Sequence, residues 1–218
     1  MKHAPRIMPA GDEAVLVEFA QEIRRETNLW VRALAHRVMA EKPRWLREVV
    51  PAYASLLVYY DPGEGGYDKV AATLRALAGD ELPGDLPPAR QFQIPVRYGG
   101  EDGPDLEWVA AKVGMSPDEV IARHSAPLYV VYMLGFLPGF CYLGDLPAEL
   151  AVERRETPRL SLPAGAVAIG GRQTGIYSLD DSPGGWRWIG RTGVRLWDPR
   201  RNPPFLLQAG DEVRFVPV

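Results

Sequence analysis

The chain has 218 residues, of which 46% are hydrophobic and 24% charged, with 25 basic and 28 acidic side chains for a net charge of −3. That apolar content builds a core without staples, and the near-balance of charge gives no global pull toward nucleic acid or anionic lipid. The single cysteine, Cys141, excludes an internal disulfide and a CxxC metal site. No run of about 18 apolar residues occurs, and the start, Met1 to Arg6, has no apolar stretch of leader length, so a cytoplasmic protein is expected.

In chain order, Arg6 to Pro9 and Ala14 to Phe19 read as a strand pair around Gly11-Asp12. From Ile23 to about Met39 the period becomes helical, with Ile23, Trp30, Leu34 and Val38 on one side and Lys42-Pro43 as the stop. Leu46 to Val50 and Leu56 to Tyr60 are two further strands, broken by Asp61-Pro62-Gly63, and Val70, Leu74 and Leu77 mark a second helix. The order ββαββα predicts an α+β domain, an antiparallel sheet with helices on one face. His36 and His3 have no second ligand residue at helical spacing and read as structural or terminal histidines.

Leu82-Pro83-Gly84-Asp85-Leu86-Pro87-Pro88 cannot continue a helix or a central strand and is read as a linker, giving domains 1–88 and 89–218. Beyond it, Phe92 to Tyr98 is a strand and Leu106, Val109, Ala110 and Val113 belong to a helix. Ser116-Pro117-Asp118-Glu119 is a capping box that opens a short helix running to about His124. Leu128 to Leu134 is a buried strand. After Ala151 the pattern is all β, with short segments at 166–169, 176–179, 186–189, 194–197, 205–207 and 213–216, which predicts a barrel or a sandwich.

Between Met133 and Tyr177 glycine, proline and aromatic residues alternate densely, as in Gly135-Phe136-Leu137-Pro138-Gly139-Phe140 and Gly170-Gly171-Arg172-Gln173-Thr174-Gly175. Such a stretch specifies backbone shape rather than a packing face, so a shaped loop lining a cleft is expected; the plainer reading is a set of tight turns in a β-rich domain. Arg159, Arg172 and Gln173 would bring polar heads to that cleft. Cys141, between Phe140 and Tyr142, reads as a small buried hydrophobe rather than a nucleophile. His124 ends a helix just before the glycine-rich stretch, where its imidazole could face the cleft or simply close the helix. P-loop, dinucleotide-binding, zinc-protease and GxSxG signatures are all missing from the sequence.

Gly135 to Leu143, Pro158-Arg159, Pro163 to Ile169, Gln173 to Tyr177, Ser182 to Trp186 and Gly190-Arg191-Thr192 together resemble the KipI family, also called allophanate hydrolase subunit 1 or the 5-oxoprolinase B subunit. The motifs are dense from His124 to the C-terminus; before the linker the likeness is one of fold. Ser178, where members usually carry proline, and the inserted Leu179-Asp180-Asp181 depart from the pattern. The resemblance implies a cyclophilin-like β-barrel for the second domain. It implies a subunit of a bacterial ATP-dependent 5-oxoprolinase that opens the lactam of 5-oxoproline to glutamate with subunits C and A, the former being the main contact. ATP would be bound with the partners, and no metal, nucleic acid or membrane is called for. On this reading His124, Arg159, Gln173 and Arg191 are candidate catalytic residues. Phe136, Phe140, Tyr177, Gly184, Gly185, Trp186 and Thr192 are candidate substrate-binding residues, and the four polar groups are expected to converge on one cleft. A second family role, inhibition of a sensor histidine kinase, would need mainly an exposed apolar patch. A peptidyl-prolyl isomerase would rest on fold analogy alone.

Overall fold

A computed structural model of the chain describes residues 5–79 and 86–218; His3 and residues 82–85 of the expected linker lie outside them. The contacts divide the chain into two compact units, Met1–Pro88 and Ala89–Val218.

In the first unit β1 (Arg6–Pro9), β2 (Ala14–Glu18), β3 (Leu46–Pro51) and β4 (Ser55–Tyr60) form an antiparallel sheet in the order β1-β2-β4-β3. Alternation in β2 and β4 sends Val15, Val17, Leu56, Val58 and Tyr60 to one face. There they pack against α1 (Arg25–Glu41) and α2 (Tyr67–Ala78) through Val31, Leu34, Val38, Val70 and Leu74. Helix α1 begins two residues later than the sequence suggests. Ile23 lies before it and is 50% exposed, because the stripe that points at the sheet is Thr27, Val31, Leu34 and Val38. Lys42 ends the helix in the left-handed region at φ 45°, its N–H returning to Val38 O.

The second unit is a closed seven-stranded barrel. Its strands are β5 (Gln91–Tyr98), β6 (Tyr129–Leu134), β7 (Cys141–Gly144), β9 (Ala166–Gly170), β10 (Gln173–Ile176), β12 (Arg187–Arg191) and β13 (Glu212–Pro217), in the order β10-β7-β6-β13-β5-β12-β9, with β9 and β10 closing the ring. β13 runs parallel to β5 and every other barrel pair is antiparallel. A two-stranded ribbon, β8 (Arg159–Leu162) and β11 (Ser182–Gly184), stands apart from the ring. Helix α3 (Leu106–Val113) follows β5, and α4 (Pro117–Ser125) opens on the expected capping box, Glu119 N–H donating to Ser116 Oγ while Glu119 receives the Ser116 N–H. Ile94, Val96, Val131, Cys141, Leu143, Val167, Ile176, Ile189 and Phe215 fill the interior.

The stretch expected to be one shaped loop is a series of short strands, from the end of β6 to β10, joined by turns. Cys141 and Leu143 point into the barrel while Phe140 and Tyr142 point out, a four-residue alternation too short to stand out among the glycines. The segments 194–197 and 205–207, expected as strands, meet only in an isolated bridge between Trp197 and Phe205.

Candidate functional site

The glycines and aromatic residues of the central stretch have a common explanation in packing. Phe140, Tyr177 and Trp186, at 2, 2 and 5% exposure, form a second core on the outer face of the barrel with Leu162, Ala166 and Ala168. Their rings meet edge to face, Phe140 lying 4.9 Å from Tyr177 and 5.8 Å from Trp186 between centroids. The glycines make room for these rings. A Cβ on Gly184 would fall 2.2 Å from the Tyr177 hydroxyl, and one on Gly170 would fall 2.9 Å from the Trp186 ring. Phe140, Tyr177, Trp186 and Gly184, expected to bind substrate, are thus packing residues. Gly185 has no neighbour closer than 3.7 Å to such a Cβ, and Phe136 stays 59% exposed at φ 66° above Phe140.

His124 requires a correction. It is fully buried among barrel residues, stacked on Phe215 at 4.7 Å, and both ring nitrogens are bonded. Thr174 Oγ1 donates to Ala168 O (3.1 Å), so it accepts from His124 Nε2–H (2.9 Å), and Tyr98 O–H donates to Nδ1 (2.7 Å). This assigns a neutral Nε2–H tautomer. Burial pushes its pKa down to about 3. The helix C-terminus, which should favour the imidazolium, is outweighed by desolvation, and no face of the ring is left for substrate.

Arg159 is committed as well. Its two Nη atoms fork onto Asp105 at 2.6 and 3.0 Å, and the same buried carboxylate accepts Arg155 Nη1 (3.2 Å) and the Trp188 N–H (2.8 Å). A bidentate arginine on a 4% exposed aspartate holds the β8 ribbon to the start of α3. Gln173, half-buried, opens β10 opposite Gly170.

Arg191 and Thr192 do share a cleft. It has a volume of about 540 Å³, and Arg97, Arg195, Asp180, Leu179 and Trp197 also line it. Its floor is set by a close approach: Gly165, at φ +84°, donates to Tyr177 O and accepts the Thr192 N–H, and a Cβ there would lie 1.9 Å from Thr192 O. Arg191 Nε donates to Ala164 O (3.1 Å), which fixes the guanidinium plane. His124 and Arg159 therefore do not join Arg191, and the expected four-residue convergence is not seen. Sequence reasoning missed Arg97, Arg195, Asp105 and Trp197. The repeat of arginine in Arg191-Thr192-Gly193-Val194-Arg195 was the available signal for one of them, and Trp197 follows it two residues on; Arg97 and Asp105 come from segments far away in sequence.

Fold and site define a mixed α/β chain whose barrel carries an arginine-lined outer cleft. A family described as carboxyltransferase domain, subdomain C and D, matches residues 5–207. The 5-oxoprolinase B subunit of Bacillus subtilis (strain 168) is 42% identical over 97% of this chain and 92% of its own. That of Escherichia coli O157:H7 is 42% identical over 95% and 93%. Among solved structures, TTHA0988 superposes with a TM-score of 0.83 at 41% identity over 94% of this chain, which spans only 40% of that longer one. The conserved protein PH0987 of Pyrococcus horikoshii is 49% identical over 98% of this chain and 97% of its own, with a TM-score of 0.57. The chain belongs to the carboxyltransferase subdomain C and D family, in the group of the 5-oxoprolinase B subunits.

Proposed function

We propose that the chain is a subunit of a cytoplasmic 5-oxoprolinase complex that uses ATP to open the lactam of 5-oxo-L-proline to L-glutamate, acting with the A and C subunits. The observation that carries this reading is identity of 41–42% to three B subunits over nearly the whole chain. The barrel is taken to be of the cyclophilin-like type that the family resemblance implies.

A lactam resists water because its amide is resonance-stabilised; ATP would phosphorylate the carbonyl oxygen with release of ADP, water would add to the activated carbon, the ring C–N bond would break as the nitrogen takes a proton, and a second water would release phosphate from the resulting acyl phosphate. Negative charge then develops on oxygens, and preoriented cations stabilise it. Arg191, its plane set by Ala164 O, and Thr192 are the side chains of this chain offered to that task. Arg159 and His124 act on structure, the first through Asp105 and the second inside the core. The kinase-inhibitor reading has in its support, among the described residues, exposed apolar side chains such as Phe136 and Leu160. The test is reconstitution. The purified chain should neither release ADP nor form glutamate from 5-oxoproline, and addition of the A and C subunits should restore both in step. Turnover by the chain alone, or none in the full complex, would overturn the reading.

A further inference from the structure

Arg97 on β5 and Arg191 on β12 stand directly opposite each other across the sheet, on the outer face of the barrel. Like charges at such a position destabilise a strand pair unless something of opposite sign lies between or beside them. Asp102 meets half of this need: it accepts Arg97 Nε at 2.7 Å, and Arg97 first, then Arg191, hold its carboxyl below the usual range. Arg191 itself has no carboxylate within 4.0 Å among the described residues: it meets Asp102 only through space, and its one hydrogen bond runs from Nε, which leaves its Nη atoms without a bonded partner at the cleft it lines. Arg195 is held only loosely, 3.5 Å from Asp198, which Arg200 grips at 3.1 Å. Thr192, 3% exposed, accepts the Val194 N–H at 3.2 Å, and its own hydroxyl proton has no protein acceptor among the described residues. The one carboxylate that lines the cleft, Asp180, already accepts the Ala164 N–H through Oδ1 at 2.8 Å.

We infer that this cleft is a phosphoryl-binding site, with the Nη edge of Arg191 and the Thr192 hydroxyl donating to phosphate oxygens and the rest of the ligand lying against Trp197 and Leu179. Arg97 and Arg195 are each met by a carboxylate just outside the lining, Asp102 and Asp198, so Arg191 is the cation left for a ligand, and its forked edge beside a hydroxyl matches the several acceptor oxygens of a phosphoryl group. A phosphate monoester carries close to two charges at neutral pH. The cleft, at about 540 Å³, has room for a larger molecule that carries the phosphoryl group. That molecule could be a nucleotide or a phosphorylated small substrate. The inference rests on the 5-oxoprolinase reading only for the identity of this molecule.

The experiment is calorimetric titration of the full chain with inorganic phosphate, ADP, and acetate plus 5-oxoproline as carboxylate controls. Phosphate and ADP should bind and the carboxylates should bind far more weakly, with Arg191→Gln and Thr192→Val each weakening phosphate by on the order of tenfold. Unliganded melting temperatures check that the variants fold, and if Arg191→Gln does not, Arg195→Gln with the Gly193 amide shift on phosphate addition takes its place. ADP binding much tighter than phosphate identifies a nucleotide; equal binding identifies a small phosphate ester. Carboxylates binding as well as phosphate, or variants that bind like the wild type, would overturn the inference. A reconstituted complex that opens 5-oxoproline while this chain binds no phosphate sinks the inference and leaves the 5-oxoprolinase reading standing. Phosphate binding in a complex with no lactam opening does the reverse.

Discussion

At the scale of single residues, His124 links the core to pH. Its ordinary value of 6.5 falls to about 3 in the folded chain, so between those values the unfolded chain holds the extra proton. Its contribution to stability is complete above about pH 6.5 and is lost as pH falls toward 3, with a slope approaching about 1.4 kcal/mol per pH unit. Urea midpoints should drop between pH 7.5 and pH 5, and His124→Gln should flatten that dependence while lowering stability at pH 7.5. An equal slope in wild type and variant would show that another group governs it. Cys141, fully buried, has its thiol pushed up to about 12, so it should resist thiol reagents until the barrel opens. Arg191 belongs to the other category, a polar group aimed at open space. Arg191→Ala in the assembled complex should cost about 2 kcal/mol of transition-state stabilisation in kcat/KM with little change in melting temperature.

Among the elements, the β7 to β11 region shows why glycine and aromatic density was misleading. Such residues can line a cleft or let rings lie flat on strands, and the two arrangements share a composition. Here the rings lie on Gly170, Gly175 and Gly184. Phe140→Ala should therefore destabilise the chain by about 3 kcal/mol or more, as for a large ring removed from a core, and should leave ligand affinity of the folded fraction unchanged. A selective loss of affinity without loss of stability would restore Phe140 to the site. The capping box of α4 was legible because it is local, four consecutive residues satisfying each other's backbone. Ser116→Ala should cost about 1 kcal/mol, read by denaturant unfolding.

For the whole molecule, the division at residue 88 carries its own expectation. A fragment beginning at Ala89 should be a soluble β protein with one cooperative thermal transition, since a full interior core lies within Ala89–Val218. A broad, non-cooperative melt would mean that the barrel depends on the first unit. By itself the sequence determined what depends on near neighbours: the helices, from apolar spacing along one turn after another, the ββαββα order of the first unit, the capping box and the density of motifs that ties the chain to its family. Tertiary structure decided what depends on residues far apart. It closed a seven-stranded ring rather than a sandwich, because β9 and β10 pair at the end of an order no strand count reveals. It sealed His124 between Tyr98 and Thr174 and locked Arg159 onto Asp105, 54 positions away. It also set Arg97 opposite Arg191. Whether an arginine is a structural cation or an open one is fixed by which carboxylate the fold brings within reach, and that distance is a property of strand register rather than of residue type.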